Sequence, residues 1–321
     1  MKTTAHYSIL SAVFCFLACT SIRSSEKEEQ VVPDSYHWTR LTSEASFRKS
    51  YNFQAFARQD TLYVFHPDGV YASANGKEWK QHSPADVIGN QAFLDYVHFN
   101  GQVLGLGWLE GNIETYQFKP YIFASTDFKN WDTLSATSNL PERFFYHPFS
   151  FDSLIWIIGG EDINGSYADV WNSPDGIHWT KQKDHLPFGP RSNSQVVELN
   201  GKLYLLNNDV WSSENGLDWE QVTPEILPGQ TLFGYQAMVF DNHIWLLGCS
   251  RNGAFDSKVF ASADGKTWTV HEAPWSARGG MAAAVMNNKL YVTGGKYGGF
   301  TRGSTVTEFE YSNDVWVMEK W

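Results

Sequence analysis

The sequence is poor in cysteine, in positive charge and in long apolar runs. It holds three cysteines in 321 residues, and two of them, Cys15 and Cys19, lie in an amino-terminal apolar stretch. Cys249 alone serves the rest of the chain, which excludes a disulfide framework and a cysteine-based zinc site. Lysine and arginine number 24 against 35 acidic residues, a net charge of -11, with no basic run. Phosphate backbones are bound by clustered cations, so a nucleic-acid partner is excluded. The apolar run from about Ile9 to Ala18 falls short of the ~20 residues of a membrane span. No phosphate-cradling glycine loop, Ser/His/Asp set or metal-ligand spacing stands out, so neither cofactor nor metal is expected.

What the sequence has in excess is aromatic: 14 Trp, 15 Tyr and 22 Phe, with 26 Gly. That supplies a large buried core and rules out disorder as the main state. The amino terminus reads as an export signal over residues 1–18, Lys2 followed by the apolar run. Phe16-Leu17-Ala18-Cys19 closes it and resembles a bacterial lipoprotein signal. The resemblance implies cleavage before Cys19 and a lipid on that residue. Residues 19–35, polar and carrying Glu26, Glu28 and Glu29, read as a flexible tether. The expected location is periplasmic or cell-surface, with membrane contact only through the lipid anchor.

A repeat governs the remainder. Ser73-Ala-Asn-Gly-Lys-Glu-Trp79 recurs as Ser125–Trp131, Ser173–Trp179, Ser213–Trp219 and Ser262–Trp268, each with an aromatic residue eight positions before its tryptophan. A strand, an Asn/Asp-Gly turn and a second strand make a hairpin. An upstream hairpin turns at Asn100-Gly101, Asp152-Ser153, Asn200-Gly201, Asp241-Asn242, Asn287-Asn288 and Gln59-Asp60. Two hairpins form one four-stranded unit, and there are six units. The sixth reaches Trp316 and runs out of chain before its fourth strand. Tyr36–Thr42, with Trp38, fills the vacancy. The expected fold is all-β: a six-bladed β-propeller of four-stranded antiparallel blades over residues 36–321, its last blade closed by the amino-terminal strand.

Ile157-Ile158-Gly159-Gly160, Val292-Thr293-Gly294-Gly295, Tyr167 and Trp171 resemble the Kelch family of propellers, the galactose-oxidase-like class. Leu206-Asn207-Asn208, Gly248-Cys249 and Phe65-His66-Pro67 depart from its pattern. The Ser-x-Asp-Gly-x-x-Trp turns also resemble the Asp-box of sialidase-type propellers, one residue shorter. Both motifs are expected to serve as blade scaffolding.

Function is expected on the face formed by the links between second and third strands. These are long and irregular over Gly105–Lys119, Gly159–Ala168, Gly248–Ser257 and Gly294–Ser312. Arg143, Arg191 and Arg278 each lie nine residues before a hairpin turn, with Arg48 nearby, and are expected to ring the mouth of the central channel. Guanidinium forks suit carboxylate or sulfate. The alternative is a structural role, tying down loop carbonyls or pairing with Glu161, Asp162 or Asp256. Further down the same strands lie His147, Gln195, Asp95 and Gln236, with Tyr146 and Tyr235 as ring faces for a sugar. Trp108, Tyr116, Tyr297 and Phe300 form either an aromatic rim or loop anchors.

The leading reading is a monomeric binding protein for a glycan, an anionic small molecule or an envelope protein. A glycosidase would use two of Asp95, Glu110, Glu114, Glu161 and Asp162. The sialidase Phe-Arg-Ile-Pro segment and the ligands of a copper radical oxidase are absent. A better enzymatic parallel is the six-bladed Kelch mutarotase that interconverts sialic acid anomers, which needs only a positioned general acid and base. A protein-interaction scaffold is the third reading.

Overall fold

The computed structural model describes residues 35–84, 94–111, 115–299 and 308–320. Residues 1–18, Cys19, most of the tether, Gln91, Glu114 and Phe300 lie outside them. Every regular element among the described residues is a β-strand. Five antiparallel sheets each follow a four-strand path in chain order, and a sixth runs from Gly279–Met286 through Lys289–Gly298 and Val315–Lys320 to the amino-terminal Tyr36–Thr42. The first sheet is typical, with Gln54–Arg58, Thr61–His66, Gly69–Ser73 and Lys80–Pro84. The innermost strands of the other five are Asp95–Phe99, Phe149–Phe151, Gln195–Leu199, Gln236–Phe240 and Gly279–Met286.

Turn chemistry sets these units. All six inner hairpins carry positive φ at both turn residues, from Gln59 (45°) and Asp60 (52°) to Asn287 (50°) and Asn288 (55°). That is the type I′ geometry, whose twist matches the flanking strands. In the outer hairpins the serine hydroxyl accepts the glycine N–H, 2.8 Å for Ser173 and Gly176. The Asp175 carboxylate accepts the N–H groups of Ile177 and His178, both at 2.8 Å. The Trp179 indole then donates to the Gly176 carbonyl at 2.7 Å. Asn75, Asn215 and Asp264 repeat the pattern. The repeated motif is therefore turn scaffolding. The second sheet departs from it, with Phe128 at φ 61° in the glycine position.

Six apolar clusters fill the spaces between sheets, each between consecutive ones. The first and second share Phe65, Tyr96 and Phe128, and the second and third share Leu104, Ile122 and Ile155. Trp156 with Leu203, Leu246 with Leu206, and Trp245 with Leu290 continue the series. The last cluster packs Ala282, Ala284 and Val315 of the sixth sheet on Phe53, Leu62 and Trp79 of the first. Tyr36–Thr42 pairs with Val315–Lys320, setting Arg40 opposite Trp316 and Trp38 opposite Met318. Trp38 takes the place Trp179 has in the third sheet and meets Trp275 edge-on at 4.5 Å. The whole fits a β-propeller.

The links expected to be irregular are largely paired. Trp108, Leu109 and Glu110 continue the ladder against Lys119, Phe118 and Gln117. Glu161–Ser166 and Cys249–Asp256 are short hairpins, and Lys296–Gly298 pairs with Phe309–Tyr311. Backbone polarity explains the difference, since each ladder step satisfies groups an irregular loop would leave to water.

Candidate functional site

Residues from all six sheets line one cavity of about 810 Å³. Its wall is built at the starts of the innermost strands. Five residues before each hairpin turn stand Gln54, Asp95, His147, Gln195, Gln236 and Ala282, and the first five line the cavity. One register position thus supplies a polar series in five successive sheets.

The backbone two residues earlier holds that series in place. Asn52, Phe145, Asn193, Gly234 and Gly280 all have positive φ, between 52° and 70°. The Asn52 N–H donates to the Gly280 carbonyl at 3.0 Å, Gly280 to Gly234 at 2.8 Å, and Asn193 to Phe145 at 2.9 Å. These bonds tie neighbouring sheets at the cavity rim. Two glutamines add side-chain ties. Gln54 accepts from the Tyr96 N–H at 2.8 Å. Gln195 donates to the Tyr235 carbonyl at 2.5 Å and accepts from the Ala237 N–H at 2.9 Å.

Asp95 and His147 are engaged differently. Neither side chain hydrogen-bonds to another described residue. Burial pushes the Asp95 carboxyl up to about 7, because its charged form loses water without a compensating cation. Burial lowers the His147 imidazole to about 4 for the matching reason. His147 also has φ 42° immediately before Pro148, a conformation bulky residues avoid and a following proline disfavours. At neutral pH the cavity wall thus offers a carboxyl that readily gains or loses a proton and, from the adjacent sheet, a neutral imidazole.

The arginines do not form the expected ring. Arg143 forks onto Asp169 (2.6 and 3.2 Å), Arg191 onto Asp209 (2.8 and 3.2 Å), and Arg278 meets Asp314 at 2.7 Å. None of the three lines the cavity. Each carboxylate also accepts an indole N–H at 2.8 Å, from Trp171, Trp211 and Trp316. The partners are not Glu161 or Asp162, and Asp256 pairs with Arg251 instead. Arg143 and Arg278 are almost wholly buried, so unpaired guanidinium groups there would be costly. Arg48 is exposed and off the cavity wall, near enough to His66 to oppose protonation of that ring.

Tyr146 is buried with its hydroxyl donating to the Leu106 carbonyl at 3.0 Å, so it offers no ring face. Tyr235 lines the cavity, its hydroxyl donating to the Asn207 carbonyl at 2.7 Å. Tyr116 packs on Phe144 as a loop anchor. The exposed rim residue is Phe233, 63% accessible. Gln54, Ser192, Asn193, Asn207 and Lys296 also line the cavity without having been anticipated. For Gln54 the signal was present, as it shares the register of Gln195 and Gln236.

The Ser192 hydroxyl is engaged by the Glu161 carboxylate. Among the described residues, no cluster of three metal-ligating side chains occurs. Cys249 is buried, with its thiol pushed up to about 12, which makes it inert as a nucleophile.

No family profile matches the sequence. No curated protein matches it either. Among solved structures, that of YjhT covers 84% of this chain and 96% of its own, with a TM-score of 0.64 at 15% identity. At that identity the likeness shows the fold alone, and it agrees with an all-β propeller built from four-stranded sheets.

Proposed function

We propose that residues 36–321 form a six-bladed, Kelch-like propeller closed by Tyr36–Thr42, exported and lipid-anchored through Cys19. Its role is to bind a hydroxyl-rich ligand, a sugar or the end of a glycan, in the central cavity. The observation that carries this reading is the wall itself. Amide and hydroxyl groups converge on a concave space within the usual ~300–1,000 Å³ of small-molecule sites, alongside Tyr51, Phe145, Phe233 and Phe255. The guanidinium groups that would favour a strongly anionic site are occupied by Asp169, Asp209 and Asp314. A glycan array followed by calorimetry tests the reading on the wild type and on Gln236→Ala. Sugar binding weakened by the substitution is expected. Equal binding by both, or none by either, removes it.

Asp95 and His147 favour a second reading, sugar mutarotase. Opening a cyclic hemiacetal needs an acid to protonate the ring oxygen and a base to take the anomeric hydroxyl proton. Environments that push two titratable groups apart assign such roles. Asp95, protonated below about 7, is the acid, and His147, unprotonated above about 4, is the base. The carbonyl formed can be attacked on either face when the ring recloses. Anomer exchange followed by magnetisation transfer in NMR is the assay. Exchange no faster than the uncatalysed rate leaves the binding reading alone.

A further inference from the structure

Lys296 differs from four arginines of this face. Arg143, Arg191, Arg251 and Arg278 each meet an aspartate. Lys296 lines the cavity and makes no ion pair with a described residue. Its ammonium lies 4.4 Å from the Tyr51 ring centre and 4.8 Å from that of Phe309. Two ring faces are attractive to a cation but do not neutralise it. Tyr51 in turn stacks on Tyr311 at 5.5 Å, and Lys296 pairs in the ladder with Tyr311, so the head group is held by structured neighbours. Burial without a counter-charge lowers the Lys296 pKa from its ordinary value. An aspartate would relieve that cost, as it does for those four arginines, yet none of the described residues supplies one.

We propose that Lys296 is the contact for an acid group on the ligand, so that the preferred ligand is an acidic sugar whose carboxylate completes the ion pair the protein leaves open. This rests on the sugar reading of the cavity and narrows it. The neutral amides of Gln236 and Asn193 in the wall then meet the hydroxyls, and the ring faces of Tyr51 and Phe309 confine the carboxylate to one side of the ammonium. Asp95 stands on the second sheet and Lys296 on the sixth, so the site has an acidic and a basic side. A ligand with one carboxylate is thereby oriented, because the reverse pose sets that carboxylate against the Asp95 carboxyl and away from the Lys296 ammonium.

Matched pairs test this with the full-length chain: D-galactose against D-galacturonate and D-glucose against D-glucuronate, titrated by calorimetry. Each acidic sugar is expected to bind about ten- to a hundredfold tighter than its neutral partner, the range of a charge-assisted hydrogen bond. Lys296→Met removes that preference, so that each acidic sugar binds no tighter than its neutral partner, while Lys296→Arg retains most of it. High salt narrows the gap. Equal affinity for both members of a pair, or a preference that survives in Lys296→Met, overturns the inference and leaves the sugar site standing. Loss of neutral and acidic binding together in Lys296→Met, with an unchanged near-UV spectrum, also overturns it by making the residue a general wall element. If neither pair binds at all, the sugar reading falls and takes this inference with it.

Discussion

Arg191 holds Asp209 through both arms of its guanidinium group, at 2.8 and 3.2 Å, and the same carboxylate accepts the Trp211 indole N–H at 2.8 Å. A third bond runs from Arg191 to the Phe188 carbonyl at 2.7 Å. The start of an innermost strand is thereby fastened to the third strand of its own sheet. Arg191→Met leaves a half-buried carboxylate without its cation, and a loss of about 3 kcal/mol is expected by urea unfolding. The double variant Arg191→Met/Asp209→Asn removes both charges and should recover at least half of that loss. Sugar affinity of the folded single variant should stay within twofold of wild type. A large affinity change with little change in stability would contradict the structural role.

The seam between the sixth and first sheets depends on Gly294. Its φ is 73°, and a Cβ there would lie 2.4 Å from the Phe53 ring and 3.2 Å from the Ser50 carbonyl oxygen. Gly201 has nearly the same φ, 77°, but open space around it. Gly201→Ala should therefore cost only the backbone strain, about 1 kcal/mol. Gly294→Ala adds displacement of Phe53 from its cluster and should cost about 3 kcal/mol or more. Thermal unfolding of the two variants side by side measures the difference, and similar shifts would remove the steric account of the seam.

Tyr36–Thr42 covers the edge of Val315–Lys320. A chain lacking residues 36–42 exposes that ladder and uncovers Trp275 and Trp316, which pack with Trp38 and with each other. Exposed edges pair with other chains. Light scattering should show concentration-dependent association of the truncated protein, and a synthetic Tyr36–Thr42 peptide should suppress it. A truncated chain that stays monomeric and keeps the wild-type melting temperature would show that the strand contributes little.

The scaffold was legible because its turns are written locally. Asn200-Gly201 and Ser173–Trp179 need only their own neighbours to adopt their conformations, and their spacing alone gave the sheet order. Trp38 was legible for a complementary reason, since it repeats the tryptophan that opens the fourth strand of the other units, and its strand pairs with Val315–Lys320. The structural alternative for the arginines was legible, but their carboxylate partners were missed, because each lies 18 to 36 residues away. Even so, Asp169-Val-Trp171, Asp209-Val-Trp211 and Asp314-Val-Trp316 occur in the three units that carry Arg143, Arg191 and Arg278. The other units have Gly69, Tyr121 and Lys258 in that place, and Ser50, Gln91 and Leu232 where the arginine stands, so the pairing was visible in the sequence. Lys296 was not legible. Its role depends on what is absent around it, and an absent counter-charge has no sequence pattern.

The opposed shifts of Asp95 and His147 give a distinctive dependence on pH. Folded Asp95 keeps its proton up to about 7, whereas the unfolded carboxyl releases it near ~4. Its contribution is therefore full at low pH and is lost as pH rises from about 4 to about 7. Folded His147 stays unprotonated down to about 4, whereas the unfolded ring takes a proton near ~6.5. Its contribution is full above that value and is lost as pH falls towards about 4. Between about 4 and 6.5 the two slopes have opposite sign and nearly cancel, each amounting to roughly 0.7 kcal/mol per pH unit after allowance for cavity water. Asp95→Asn should expose the histidine slope, with stability falling on acidification. His147→Asn, chosen because asparagine tolerates positive φ, should expose the aspartate slope, with stability falling as pH rises. Catalysed anomer exchange should follow a bell with limbs near the same two values, because Asp95 must be protonated and His147 unprotonated. Chemical denaturation at half-unit pH intervals resolves the two slopes. Variants whose stability tracks the wild type throughout would show that neither side chain is desolvated enough to serve as acid or base.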